Sequence, residues 1–230
     1  MKMYFLVEGR GTEMRVYPNW VNKFLPKLPF YNDYEDFKNC DSGFYLISGE
    51  GYPSILNEID SATHNVNNIG NVDYFFIILD CDEDHASVRH QKVLDKVNTE
   101  LLDKRVEVVV IIQKRCFETI LLGNRKVIPR NSTNQEMASY LNYYDVTTVD
   151  PEDMGNYSDD LNHAQFHTKY LRKALVEKRI KYSKSNPSAV TCESYTDELI
   201  KRVKTTNHLT MFRSFVDYME EISAKHNSYI

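Results

Sequence analysis

The sequence predicts an α/β fold in which a parallel β-sheet is flanked by helices and followed by a mostly α-helical C-terminal region. Two observations predict it. Four short apolar runs recur through the first half of the chain with amphipathic helical patterns between them. From about residue 159 onward the pattern is helical. A chain of 230 residues that is 42% hydrophobic is long enough for one core with an appended subdomain.

The four apolar runs are predicted strands, at 4–7, 44–47, 74–79 and 106–112. The third is apolar at every position, as a central strand buried on both faces should be. The helix after the first run is expected to start or kink at Pro18, because proline lacks the backbone N–H that a helix interior uses. A polar helix after the third run is expected to bury one apolar stripe, formed by Val88, Val93, Leu94, Val97, Leu101 and Leu102.

The second half of the chain is predicted to contain five helices, over about 116–124, 135–144, 159–182, 193–205 and 209–224. We therefore expect an α/β core over residues 1–125 and a helical region over residues 126–230. Charge follows a similar division. Residues 1–160 hold 16 Lys/Arg and 26 Asp/Glu, whereas residues 161–230 hold 12 Lys/Arg and 7 Asp/Glu. The basic end can bind phosphate, or it is an ordinary solvated surface.

Cysteine spacing and hydropathy bear on the compartment. The four cysteines are far apart and form neither a CxxC motif nor a zinc pattern. We expect reduced thiols in a cytoplasmic protein. No run of about 18 apolar residues is present, so neither a membrane span nor a membrane partner is expected.

Three acidic residues follow predicted strands. Glu8 ends the first strand, and Asp80 and Asp82 follow the third. Because ligands collect at the carboxyl ends of parallel strands, the three carboxylates are expected at one edge of the sheet. Hard oxygen ligands favour Mg²⁺ or Mn²⁺, and such an ion can activate water against a phosphodiester.

The segment Val7-Glu8-Gly9-Arg10-Gly11-Thr12-Glu13, together with Leu79-Asp80-Cys81-Asp82, resembles the TOPRIM signature of topoisomerases, primases and OLD-family nucleases. The Thr12-Glu13 ending and Cys116-Phe117-Glu118 are similar to the small RloB-like TOPRIM proteins of prokaryotic anti-phage defence. The resemblance covers about residues 1–125. It implies a TOPRIM-like fold in which Glu8, Asp80 and Asp82 hold Mg²⁺ and are catalytic.

The same resemblance implies a metal-dependent nuclease that cuts DNA or RNA, tRNA included, as a toxic effector. It further implies a regulatory partner protein and a homodimer. Glu13 is expected to help bind a second ion, although OLD-type sequences place this glutamate four residues after the first and Glu13 lies five after Glu8. Its alternative is an exposed acid at a helix start. Asp84 is a further candidate ligand, ahead of Glu83, and both are alternatively first-turn acids of the next helix.

Basic residues supply the candidate nucleic-acid contacts. Arg10 can clamp a phosphate, or it is a surface arginine. The helix predicted from about residue 159 carries the other candidates, which are Lys169, Arg172, Lys173 and Arg179. Their charge is spread around the helix, so the alternative is an amphipathic helix that packs its leucines inward.

A different class of function stays open, namely a non-catalytic module whose tyrosine-rich surface docks a sensor or partner protein. A phosphoacceptor domain of the receiver type also uses acids at strand ends. It would need a pair of acids after the first strand, and Glu8-Gly9 lacks that pair.

Overall fold

The computed structural model describes residues 1–97 and 105–227, which form two units. The first unit comprises Met1–Asp80, Asp84–Ile112 and Tyr218–Ile230, and the second comprises Cys81–Glu83 and Gln113–Asp217. The boundary predicted at residue 125 falls inside the second unit, and the described residues from Tyr218 onward belong to the first. No described helix combines the length and the apolar character that a membrane span requires.

The described residues form strands and helices in alternation through the first half of the chain. The strands are β1 (Lys2–Val7), β2 (Phe30–Tyr31), β3 (Gly43–Ser48), β4 (Tyr74–Asp80) and β5 (Glu107–Gln113). The helices among and after them are α1 (Glu13–Phe24), α2 (Tyr34–Asn39), α3 (Ser54–Ile69), α4 (Ala86–Lys96), α5 (Phe117–Leu121), α6 (Gln135–Tyr143), α7 (His163–Glu177), α8 (Glu193–Thr205) and α9 (Thr210–Asn227). Two short 3-10 helices span Arg125–Val127 and Pro151–Asp153.

The strands form one sheet in the order β2-β3-β1-β4-β5. Strand β1 pairs in parallel with both β3 and β4, and β2 pairs in parallel with β3. Parallel neighbours need crossover connections, which α1, α3 and the other helices between the strands provide. The predicted α/β class, with a parallel sheet flanked by helices and a helical C-terminal region, is confirmed.

Aromatic residues pack the centre of this sheet. Phe5 of β1 stacks on Phe76 of β4 with ring centroids 4.6 Å apart, and Tyr4 meets Phe75 edge to face at 5.7 Å. All four side chains are fully buried. Burial of one such ring stabilises the folded state by roughly 1.5–3 kcal/mol. Strands β1 and β4, which carry these rings, are therefore favoured at interior positions of the sheet.

Helix α1 begins at Glu13, five residues before the Pro18 at which a start or kink was predicted. Pro18 lies inside the helix, where it removes the hydrogen bond that its own N–H would have made and crowds the carbonyl four residues earlier. The helix continues because Val16, Trp20 and Val21 are buried on its inner face, and their packing outweighs the missing bond.

Helix α4 differs from its predicted stripe. Val93 and Val97 are buried, but Val88 is 49% exposed and Leu94 is 38% exposed, so the prediction was wrong for those two. Leu101 and Leu102 lie outside the described residues. Arg89 is buried on this helix instead, at 2% exposure.

The environment of Arg89 explains its burial. Its guanidinium stacks over the Tyr52 ring at 3.4 Å and pairs with Asp84 at 3.1 Å. A buried arginine is tolerated when a carboxylate and an aromatic face replace its water. Hydrophobic periodicity cannot predict that an arginine is buried on this helix.

The short elements β2 and α2 were not predicted, because two and six residues are too few to show a period. Helix α2 is set by its N-cap. Asp33 accepts hydrogen bonds from the backbone N–H groups of Glu35 and Asp36, at 2.9 and 3.1 Å.

Replacing Asp33 with alanine is expected to lower the free energy of unfolding by about 1 kcal/mol, because two backbone donors lose their acceptor. Urea denaturation followed by circular dichroism measures it. Asp33→Asn keeps a capping oxygen and should stay near wild type, as should Asp41→Ala at an exposed site nearby. Equal losses in all three variants would contradict the assignment of the cap.

Helix α7 of the second unit is shorter than the predicted 159–182. It begins at His163 after a capping box, in which Asn162 and Gln165 exchange hydrogen bonds with each other's backbone. It ends at Glu177, two residues before Arg179 adopts a left-handed conformation with φ 58°. A left-handed residue ends a helix because it turns the chain out of the helical path.

Candidate functional site

Glu8 lies where three strands of the first unit end. Its N–H donates to the Ile78 carbonyl of β4 at 3.0 Å, and its carbonyl accepts from Gly51, beyond β3, at 3.0 Å. The Glu8 Oε2 atom accepts from the backbone N–H of Asp80 at 2.9 Å. Since β1 and β4 are neighbours, topology and this hydrogen bond together bring Glu8 against the last residue of β4, as predicted for ligands at strand ends.

Glu13 turns its carboxylate back over Gly9. A methyl group at Gly9 would lie 1.5 Å from Glu13 Oε2, so any larger residue at this position would displace the Glu13 carboxylate from where it lies. Glu13 begins α1 and is 7% exposed. It is therefore an acid at a helix start, but a buried one.

Tyr17 lies near both Glu13 and Asp80. Burial raises the pKa of the Tyr17 phenol well above its usual value, and the carboxylates of Glu13 and Asp80 raise it further. The phenol stays neutral beside the two acids. Nothing in the sequence singled out Tyr17 among 16 tyrosines. The available signal was its spacing, since residues i and i+4 lie on one helix face.

Asp82 belongs to the second unit. It has a left-handed backbone, with φ 49°, and its N–H donates to the Arg115 carbonyl at 2.9 Å. Arg115 is also left-handed and its Nη1 donates back to the Asp82 carbonyl at 3.2 Å. Reciprocal bonds between two residues in this costly conformation hold the Asp82 backbone in place. Its role as a metal ligand stays a prediction.

The two acids after Asp82 have partners of their own. Asp84 pairs with Arg89 at 3.1 Å and with Lys92 at 3.3 Å. Glu83 accepts from the backbone N–H of His163 at 2.9 Å and contacts its ring Nδ1 at 2.6 Å. Burial alone would raise the pKa of Glu83, but the two hydrogen bonds from His163 outweigh it and the pKa is lowered. Neither acid lies in the first turn of α4, which begins at Ala86.

Within residues 1–97 and 105–227, no three His, Cys, Asp or Glu residues are grouped so as to hold a metal ion. The donor chemistry of Glu8, Glu13 and Asp80 nevertheless suits a hard cation, because all three are carboxylates at one edge of the sheet. Mg²⁺ commonly binds to one or two carboxylates and fills its remaining positions with water and substrate phosphate. Glu8 and Asp80 meet that smaller requirement in residue type.

Two of the predicted nucleic-acid contacts on α7 are paired within the second unit. Lys169 and Lys173 both bind the Glu136 carboxylate, at 2.8 and 2.5 Å. The hydrogen bonds from Lys169, Lys173 and Tyr140 lower the pKa of Glu136 to about 2. In the first unit, Arg10 pairs with Glu50 at 2.8 Å, and both side chains are exposed.

Arg172 and Arg179 of the predicted set are exposed. A groove of about 630 Å³ runs along α7, and Lys169, Arg172, Lys173 and Lys184 line it together with the apolar Val176. We refer to it as the α7 groove. The structure thus brings three of the predicted basic residues to one surface and leaves Arg179 at the helix end.

Comparison with known proteins finds no match to this chain among protein-family models, curated proteins or solved structures.

Proposed function

We propose that this protein is a metal-dependent nuclease of the TOPRIM kind that hydrolyses phosphodiester bonds in DNA or RNA, with tRNA among its candidate substrates. The observation that carries the proposal is that Glu8 and Asp80 lie together at the ends of neighbouring parallel strands. The Asp80 backbone N–H donates to Glu8 Oε2 at 2.9 Å. Parallel α/β sheets bind ligands at this edge.

Glu8 and Asp80 would hold Mg²⁺ or Mn²⁺, with Asp82 and Glu13 as the further ligands proposed from the sequence. Such an ion supplies Lewis acidity and a nucleophile at neutral pH. The hydrogen bond from the Asp80 N–H fixes one Glu8 oxygen. The Gly9 backbone allows Glu13 to approach, and the neutral Tyr17 adds no further negative charge beside the acids.

The α7 groove is the proposed contact for the nucleic-acid backbone, because four cationic side chains line it and phosphate contacts are charge-driven. Lys169 and Lys173 pair with Glu136, and Lys184 pairs with Glu118 at 3.5 Å, which reduces the available charge. Arg172 is therefore expected to contribute most. We place the protein in the cytoplasm as an anti-phage effector, with a regulatory partner and a homodimer as parts of the same proposal.

The test is cleavage of plasmid, linear DNA and total tRNA by the purified full chain, with Mg²⁺ or Mn²⁺ and with chelator. Glu8→Gln and Asp80→Asn should each lower cleavage at least about 100-fold, because each removes a charge that holds the ion. Asp60→Asn, at an exposed site on α3, is the matched control and should cleave normally.

A readout independent of activity is the melting temperature. Millimolar Mg²⁺ or Mn²⁺ should raise it in the wild type and in Asp60→Asn but not in Asp80→Asn, because an ion that binds only the folded state stabilises it. Metal-independent cleavage, or full cleavage by Glu8→Gln, would overturn the proposal.

One observation favours the second candidate function, a docking module. Tyr143 and Tyr157 of the second unit are 42% and 41% exposed, and their rings meet edge to face at 5.4 Å. Exposed tyrosine pairs are typical of protein interfaces. If this function is correct, Tyr143→Ser should abolish the effect of the protein in cells while Glu8→Gln leaves it intact.

A further inference from the structure

A second concave surface in the second unit is strongly basic. It has a volume of about 790 Å³ and is lined by residues from the 3-10 helix after α5, the loop that follows it, the segment after α6, and the end of α7. Its polar lining residues include Arg125, Lys126, Arg130, Asn131, Thr147 and Lys178. We call it the 125–178 pocket. None of these residues belongs to the carboxylate edge or to the α7 groove.

The positive charge of this pocket is only partly compensated. Lys126 pairs with Glu198 at 2.5 Å. Within the described part of the chain, Arg125, Arg130 and Lys178 have no carboxylate within 4.0 Å. The one acid in the lining, Glu177, accepts a hydrogen bond from the Ser132 hydroxyl. Three cations therefore face one concave surface beside a single carboxylate.

Arg125 adds a second observation. Its Nε is buried and makes no hydrogen bond, although a buried guanidinium N–H normally has an acceptor. Arg202, which is 2% exposed, lies near enough for the two charges to repel each other. Burial and then the charge of Arg125 lower the pKa of Arg202 to about 10. Like charges held together in this way are stabilised by an anion.

We propose that the 125–178 pocket binds the phosphate groups of a nucleotide, either free or as part of a nucleic-acid strand. Guanidinium groups bind phosphate oxygens in a bidentate manner, and the lysines add point charges. The volume lies within the range of small-ligand sites, which run from about 300 to 1,000 Å³. The polar side chains of Asn131 and Thr147 are of the type that orients a base or sugar.

Binding is measured on the full chain carrying Glu8→Gln, so that cleavage cannot consume a probe. The probes are inorganic pyrophosphate, ATP and a short fluorescein-labelled single-stranded oligonucleotide. Binding of pyrophosphate by calorimetry shows that the pocket takes phosphate groups, and binding of ATP identifies a free nucleotide. Binding of the oligonucleotide alone, followed by anisotropy, identifies a strand. In either case affinity should fall as salt rises, since phosphate contacts release counterions.

The double variant Arg130→Gln with Lys178→Gln removes two exposed charges from the pocket without disturbing buried groups. Its affinity should fall at least about tenfold. Lys201→Gln with Lys204→Gln, at two exposed lysines on α8 outside the pocket, is the charge-matched control and should bind as the parent does. If no probe binds the parent, or if the double variant binds like the control, the proposal is overturned.

Failure of this inference is distinguishable from failure of the nuclease proposal. Pocket binding is tested with the carboxylate edge disabled, and the metal-dependent melting shift is tested with the pocket intact. Each result therefore stands without the other.

Discussion

Replacement of Arg202 by alanine is expected to lower the free energy of unfolding by about 3–5 kcal/mol. The Arg202 side chain is 2% exposed and donates from Nη1 to the Gly123 carbonyl at 3.1 Å and from Nη2 to the Val149 carbonyl at 2.7 Å. Its guanidinium also contacts His208 Nδ1 at 2.9 Å. The alanine variant would leave these acceptors without their donor and open a cavity.

Urea denaturation followed by circular dichroism measures the loss. Arg202→Met fills most of the volume and should lose about 2 kcal/mol, since only the hydrogen bonds are missing. Lys201→Ala, at the exposed neighbouring position, should change stability by no more than about 0.5 kcal/mol. An alanine variant as stable as Lys201→Ala would show that Arg202 does not connect these segments.

Acidification from pH 7 to pH 4 is expected to cost the second unit about 3 kcal/mol through His167 alone. The ring is fully buried, with Nδ1 2.7 Å from the Thr119 hydroxyl and Nε2 3.1 Å from the Met154 carbonyl. A carbonyl can only accept, so Nε2 carries the proton and the hydroxyl donates to Nδ1. The ring is therefore satisfied when neutral.

The pKa of His167 is lowered from 6.5 to about 3, mainly by burial. The hydrogen bond to the Met154 carbonyl and the charge of Glu83 oppose this shift, and the charges of His163 and Arg115 add to it. Between pH 6.5 and about pH 3, His167 is protonated in the unfolded chain but stays neutral in the folded state. Stability from this group is complete above about pH 6.5 and is lost as the pH falls toward 3.

The measurement is the slope of unfolding free energy against pH in the wild type and in His167→Gln. Other acids titrate over the same range in both proteins, so the difference between the two slopes isolates the histidine. The slope for His167→Gln should be smaller than that for the wild type, whatever the stability of the variant at pH 7. Parallel slopes would contradict the buried neutral ring.

The sequence alone predicted four of the five strands of the sheet and the two acids that are the leading candidate ligands. Tyr4 to Val7 and Tyr74 to Leu79 are apolar at every position, which predicts two strands and the second of them as central, and an acid follows each run. That β1 and β4 are neighbours was decided by tertiary pairing, because strand order is not encoded in the pattern of either strand. The contact between Glu8 and the Asp80 N–H depends on that order.

The approach of Glu13 to Gly9 was likewise beyond sequence reasoning. Spacing placed Glu13 at a helix start, where an exposed acid is favoured by the dipole. The fold instead turns its carboxylate over a residue without a side chain and buries it. A local pattern specifies residue type and face, but not which backbone lies close enough to be covered.

The charged residues show most clearly what the sequence determines and what only the tertiary structure decides. The sequence identified Lys169, Lys173 and Arg172 as basic residues on one helix, and it determined nothing about their partners. Because α6 packs beside α7, Lys169 and Lys173 pair with Glu136. The 125–178 pocket brings together cations that are more than 50 residues apart in the sequence. Composition and period act over a few residues, but the net charge of a surface depends on segments that only folding brings within a few ångströms of one another.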